Sequence, residues 1–137
     1  EESSSKVIAL EITPNVIITG RETELLTPAA SLILNSIKYL TDIPDEIDLL
    51  SPGVLKPILD LKKNVLSNKL NLNDVLISLS ICSVTNPTAN KALKNINKLN
   101  GCDAHATFIV EKSDLDLLRS LGINLTCDPV FNSEKLI

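Results

Sequence analysis

The stretch VIALEITPNVIITG, residues 7–20, decides the fold. Val7 to Ile12 and Val16 to Thr19 are short β-branched runs, and Thr13-Pro14-Asn15 between them is turn chemistry. The pair reads as a β-hairpin closed by Gly20. Beyond it, Thr27-Pro28 opens a helix, with threonine as N-cap and proline at the first helical position, where its missing N–H costs nothing. Ala30, Ile33, Ile37 and Leu40 keep helical spacing and commit one face of this helix to a core.

The rest of the chain alternates in the same manner. Ile47 to Leu50 reads as a short buried strand. Ser51-Pro52 repeats the cap-and-proline start of a helix that turns Leu55, Ile58, Leu59 and Leu66 inward and Lys56, Lys62 and Lys63 to water. Asn73 is the expected cap of a helix over Asp74 to Val84. Its Val75, Leu76, Ile77, Leu79, Ile81 and Val84 spread too widely for one face, so the helix is central or part of an interface. Asn86-Pro87 makes a third such start, ended by Gly101. Ala104 to Val110 reads as a strand, Ser113 and Asp116 as the opening of a helix that stops at Gly122, and Ile123 to Cys127 as the last strand. The order β-β-α-β-α-α-α-β-α-β predicts an α/β domain in which a largely parallel sheet follows the hairpin. Residues 1–5 read as a linker or ragged start, 6–131 as a single α/β domain and 132–137 as a tail.

Composition narrows the function. The net charge is −4, with two Phe, one Tyr and no Trp, so the basic surface and stacking rings of a nucleic-acid binder are missing. Three cysteines, Cys82, Cys102 and Cys127, leave one unpaired and read as free thiols in a reducing cytoplasm. No apolar run approaches membrane-spanning length. The chain contains no methionine and is expected to be part of a longer protein.

Chemistry-bearing residues are few. Cys102, His105 and Cys127 are of the types that ligate zinc or serve Cys–His catalysis, but no CxxC anchors them, and no metal or other cofactor is expected. Arg21 follows a strand and could grip a phosphate or carboxylate. The helix starts at Thr27, Ser51 and Asn86 could line an anion pocket with their unpaired N–H groups, or could simply cap. The candidate ligand-binding set is therefore Arg21, Ser51, Asn86, Cys102, His105 and Cys127, near the C-terminal ends of the parallel strands.

Five separated segments carry a resemblance: Ile18-Thr19-Gly20-Arg21, Leu50-Ser51-Pro52, Thr85-Asn86-Pro87, Gly101-Cys102-Asp103-Ala104-His105 and Leu125-Thr126-Cys127-Asp128-Pro129. In order and spacing they resemble the C-terminal part of the large bacterial proteins of domain-of-unknown-function family 1846 (uncharacterised protein family 0371). The resemblance implies a three-layer α/β/α sandwich similar to the cytidine deaminase topology, and an upstream region with a Gly-rich segment suggestive of nucleotide binding. It brings no established activity. The deaminase zinc motif is absent: His105 is followed two residues on by Thr107 rather than glutamate, and the helix starts at Pro28 and Pro52 carry no ligand. The expected function is a non-catalytic C-terminal assembly or structural domain whose partners are the upstream domains, with self-association as a further option. The alternative is a contribution to an enzyme active site, or to a small-anion or nucleotide site, shared with the upstream region.

Overall fold

The computed structural model describes residues 6–66 and 68–128. Strands β1 (Val7–Thr13) and β2 (Val16–Arg21) form the expected hairpin. Helix α1 (Pro28–Leu40) follows, then α2 (Pro52–Asp60), which continues as a π-helical turn over Leu61–Val65. Helix α3 (Leu72–Cys82), helix α4 (Pro87–Lys94) with a 3₁₀ extension over Asn95–Leu99, strand β3 (Asp103–Ala106), helix α5 (Lys112–Ser120) and strand β4 (Asn124–Cys127) complete the order.

All three cap-and-proline starts form as their local chemistry dictates. Thr27 accepts from the Ala30 N–H, Ser51 from Val54, and Asn86 from Thr88 and Ala89. Helix α3 starts earlier than expected, at an Asn71 N-cap rather than Asn73. The reason is a capping box: the Asn71 side chain accepts from the Asp74 N–H while the Asp74 carboxylate accepts from the Asn71 N–H. Helix α5 starts at Lys112 behind Glu111, which makes no side-chain cap, rather than at the expected Ser113 and Asp116 pattern; Asp114 in its first turn bonds the Leu72 N–H. Gly122 ends that helix at φ +83, a left-handed conformation that favours glycine.

The sheet order is β2-β1-β3-β4. Ile8 lies opposite Gly20 and Ala106, Leu10 opposite Ile18 and Ala104, and Leu125 and Cys127 run beside Ala104 and Ala106. These rows face the helices. Ile8, Leu10, Leu32, Ile33, Ile37, Val75, Leu79, Leu99 and Leu118 are fully buried in one aliphatic core. β2 and α1 approach so closely that a Cβ on Gly20 would collide with backbone atoms of Leu32 and Pro28. Gly20→Ala is therefore expected to cost about 3 kcal/mol through forced separation of sheet and helix, read as a lowered urea midpoint at unchanged m.

Several expectations need correction. Ile47 to Leu50 is not a strand: the segment bends between Pro44 and Pro52, burying Leu49 and Leu50 while Ile47 stays exposed. Prolines on both sides and the lack of a partner strand leave it no ladder to join. With that strand gone, the sheet is not largely parallel. β1 pairs antiparallel with β2 and β3, and only β3–β4, joined through α5, is parallel. Strand β3 is also shorter than Ala104 to Val110, ending at Ala106. Lys62 is buried rather than solvated, and Leu66 is exposed rather than buried. The cause is the π turn, closed by the Leu66 N–H on the Leu61 carbonyl, which swings Lys62 inward onto Asp74 at 2.8 Å.

The described residues make a mixed α/β domain with a four-stranded sheet and five α-helices. Along β1 and β3 buried and more exposed residues alternate, so among the described residues helices cover one face. The other face, with the row Thr19, Ala9, His105 and Thr126, lies uncovered among the described residues. Residues 129–137, including the expected domain end and tail, lie outside the described residues, as do 1–5.

Candidate functional site

Period-2 alternation assembles the first group of candidate residues. His105 on β3 and Thr126 on β4 are neighbours in parallel register, and Asp128, two residues beyond Thr126, continues on the same side. His105 Nδ1 lies 2.6 Å from the Thr126 hydroxyl and its Nε2 lies 2.7 Å from the Asp128 carboxylate. With Nε2–H donated to Asp128, Nδ1 is free to accept the threonine proton, a base oriented by a carboxylate. The group is solvent-exposed, and its Thr126 edges a shallow groove shared with Arg119 and Asn124. Arg21 shares this open face: it pairs with Val7, one row from the Ala9 and His105 pair, across β1.

The cysteines do not join that group. Cys127 has the opposite parity to Thr126 and packs with the core side chains. Cys102 precedes β3, its thiol directed at the Lys98 carbonyl. Burial and then the carboxylates of Asp103 and Glu11 push the Cys102 thiol above its ordinary pKa, the wrong direction for a nucleophile or a metal ligand. Among the described residues no cluster of three His, Cys, Asp or Glu side chains is placed to hold a metal ion.

Ser51 and Asn86 do come together, beside Cys82. The Ser51 N–H donates to the Cys82 sulfur at 3.3 Å, and Ser51, Asn86, Val54, Ile81 and Val84 line a shallow groove of about 580 Å³. Both cap side chains are used on their own helices. The Thr27 helix start is filled from within. Buried Asp114 accepts from the Thr27 hydroxyl at 2.8 Å and from the Leu72 N–H at 2.9 Å. The protein's own carboxylate thus occupies the point where the N-termini of α1, α3 and α5 meet, and it is stabilised there by their dipoles.

Sequence reasoning missed a cleft between α1 and α2. Its volume is about 570 Å³, and its walls are leucines from both helices and from the segments that precede α1, α2 and α3. Leu55 and Leu59 carry a helical-period signal that reads as core-facing. In the structure α2 has no fully buried residue, and these leucines wall the cleft. None of the six sequence candidates lines it.

No helix among the described residues is long and apolar enough to cross a membrane. The whole chain, residues 1–137, matches the family described as "Domain of unknown function DUF1846, C-terminal". A UPF0371 protein of Clostridium tetani is 45% identical over 133 residues, covering 95% of this chain and 26% of that protein. UPF0371 proteins of Clostridium botulinum are similar at 46% identity over 133 residues (strain Langeland; 95% and 26% covered) and 44% over 139 residues (strain Alaska E43; 99% and 28%). The chain spans about a quarter of the length of these bacterial relatives, whose names record no activity. Match and identity together place the chain in the family of C-terminal DUF1846 domains found in UPF0371 proteins.

Proposed function

We propose that this chain is a non-catalytic assembly domain that completes a larger bacterial cytoplasmic protein. The observation that carries this reading is aliphatic surface left bare on α3 and on the π turn that follows α2. The two helices run antiparallel, since Ser51 at the start of α2 meets Cys82 at the end of α3, and Lys62 meets Asp74. Each leaves a stripe of aliphatic side chains at helical spacing in water. On α3 and just past it, Ile77 is 51% exposed, Ile81 50% and Val84 82%, and beyond α2 Leu61 is 49% and Val65 69% exposed. Clustered aliphatic exposure on a small domain marks a contact surface. The occupant in this reading is the remaining three-quarters of the larger proteins that the chain matches, rather than nucleic acid or membrane. A third layer over the open face of the sheet, as in a deaminase-like sandwich, would come from that same region. No cofactor is held by this chain in this reading.

Ile81→Asp separates docking from core packing. In the isolated domain the substitution is expected to cost only about 1 kcal/mol, because half of the side chain is already in water. In the full-length protein it should lower the melting temperature by several degrees or free the domain as a separate transition. Leu79→Asp, on the buried side of the same helix, should unfold both. Equal, small effects of Ile81→Asp in both settings would contradict the reading. A full-length protein that falls from dimer to monomer in light scattering would instead assign the face to a second copy.

A second reading, a site shared with the upstream region, is favoured by one observation: His105 is held by both ring nitrogens on the same open face as Arg21. Under it, His105→Asn and Arg21→Ala would abolish binding of small anions or nucleotides by the full-length protein without altering its melting temperature. Binding unaffected by either substitution would dismiss it.

A further inference from the structure

We infer that the leucine-walled cleft between α1 and α2 binds a single aliphatic chain ending in a carboxylate. This inference is independent of the docking reading, because the cleft lies on another side of α2. Leu55 and Leu59, one helical turn apart, face the cleft, whereas Leu61 and Val65 belong to the bare outer surface.

The geometry defines a pocket for a small molecule. Its volume of about 570 Å³ falls within the roughly 300–1,000 Å³ of small-ligand sites. Leu34 from α1, Leu55 and Leu59 from α2, and Leu25, Leu49 and Leu70 from the connecting segments supply the walls. The floor is held firm by backbone bonds: the Leu70 N–H donates to the Leu25 carbonyl, and the Thr27 N–H donates to the Leu70 carbonyl. Thr23 further fixes the approach by accepting from the Leu25 and Leu26 N–H groups.

The wall chemistry selects the ligand. Among the described residues no aromatic side chain lines the cleft, so a nucleobase or aromatic ring finds no stacking partner there. Walls made mainly of leucine, with polar groups beside them, suit a flexible aliphatic chain with a polar head. The charges of the lining select the head group. Lys38, Lys56 and Lys63 stand against Asp48 and Asp60, and Asp60 is already engaged by Lys56 at 3.2 Å. Lys38 donates to the Asp45 carbonyl, which leaves its charge uncompensated by any carboxylate in that bond. With Lys56 paired to Asp60, Lys38 and Lys63 outweigh Asp48 by one positive charge, which favours a carboxylate at the mouth while the chain lies on the leucines.

The test is calorimetric titration of the full-length protein with saturated carboxylates of about six to about twelve carbons, beside the matching alcohols. Binding should tighten about fourfold per added methylene, the free energy of burying one CH₂ group (about 0.8 kcal/mol). Each alcohol should bind at least about tenfold more weakly than its carboxylate, and Lys38→Gln with Lys63→Gln should remove that difference while leaving alcohol binding unchanged. Leu34→Trp, which fills the cleft, should weaken every member of the series at least about tenfold. Leu59→Phe on α2 offers a second filling variant at a position with room to adjust. Absence of binding across the series, affinity that ignores chain length, or binding unaltered by both filling variants would overturn the inference. So would a cleft already closed to radical labelling in the unliganded full-length protein, which would assign it to a segment of the larger chain.

Discussion

Asp114→Ala is expected to destabilise the domain by about 3 kcal/mol, a fall of roughly 10 °C in Tm. Asp114 is buried, and among the described residues no cationic side chain is bonded to it. Its charge is held by the Thr27 hydroxyl, the Leu72 N–H and three converging helix N-termini. Truncation removes two charge-assisted hydrogen bonds and leaves the Leu72 N–H buried without a partner. Asp114→Asn should cost less, because its amide oxygen can still accept one of the two bonds. Chemical denaturation of both variants checks the ranking. An alanine variant as stable as the asparagine variant would show that the clamp contributes only shape.

Asp74→Ala is the second large effect, at about 3 kcal/mol or more. It strands Lys62, which the π turn has carried into the interior, and it removes half of the capping box of α3. Removing one partner of a buried pair is costly because the other charge stays behind, whereas removing both is often close to neutral. The double variant Lys62→Met with Asp74→Asn should therefore recover most of the loss. It replaces the lysine with an apolar chain of similar length and keeps a side chain able to accept from the Asn71 N–H. A double variant no more stable than Asp74→Ala alone would contradict this account of the π turn.

Local chemistry was legible in the chain. The hairpin at Thr13-Pro14-Asn15 and the caps at Thr27, Ser51 and Asn86 are encoded within a few residues, and they form where read. What was not legible depends on distance along the chain. Asp114 clamps partners 42 and 87 residues away, and nothing near it in sequence announces either bond. The strand expected at Ile47 to Leu50 failed because an apolar run needs a partner strand, and its pairing is not written in the run itself. Lys62 looked solvated under α-helical spacing, and one π turn reversed it.

The candidate site was legible only in part. The alternation of Thr126, Cys127 and Asp128 in a strand already separates the cysteine from the other two, and His105 alternates with Ala104 and Ala106 in the same way. Read by parity, the sequence disperses the supposed Cys102, His105 and Cys127 set. The leucine cleft could not be foreseen, because Leu55 and Leu59 have the same spacing whether they face a filled core or a cavity. The bare surface of α3 was the better-marked feature: Ile77, Ile81 and Val84 break the single-face pattern that a helix serving one core would show.

Hydroxyl-radical footprinting of side chains, comparing this chain alone with the full-length protein, tests the assembly role most directly. Ile77, Ile81 and Val84 should label readily in the isolated domain and be strongly protected in the full-length protein. Thr88 and Arg119, on other exposed surfaces, should label alike in both. Equal labelling of Ile77, Ile81 and Val84 in the two samples would contradict the account.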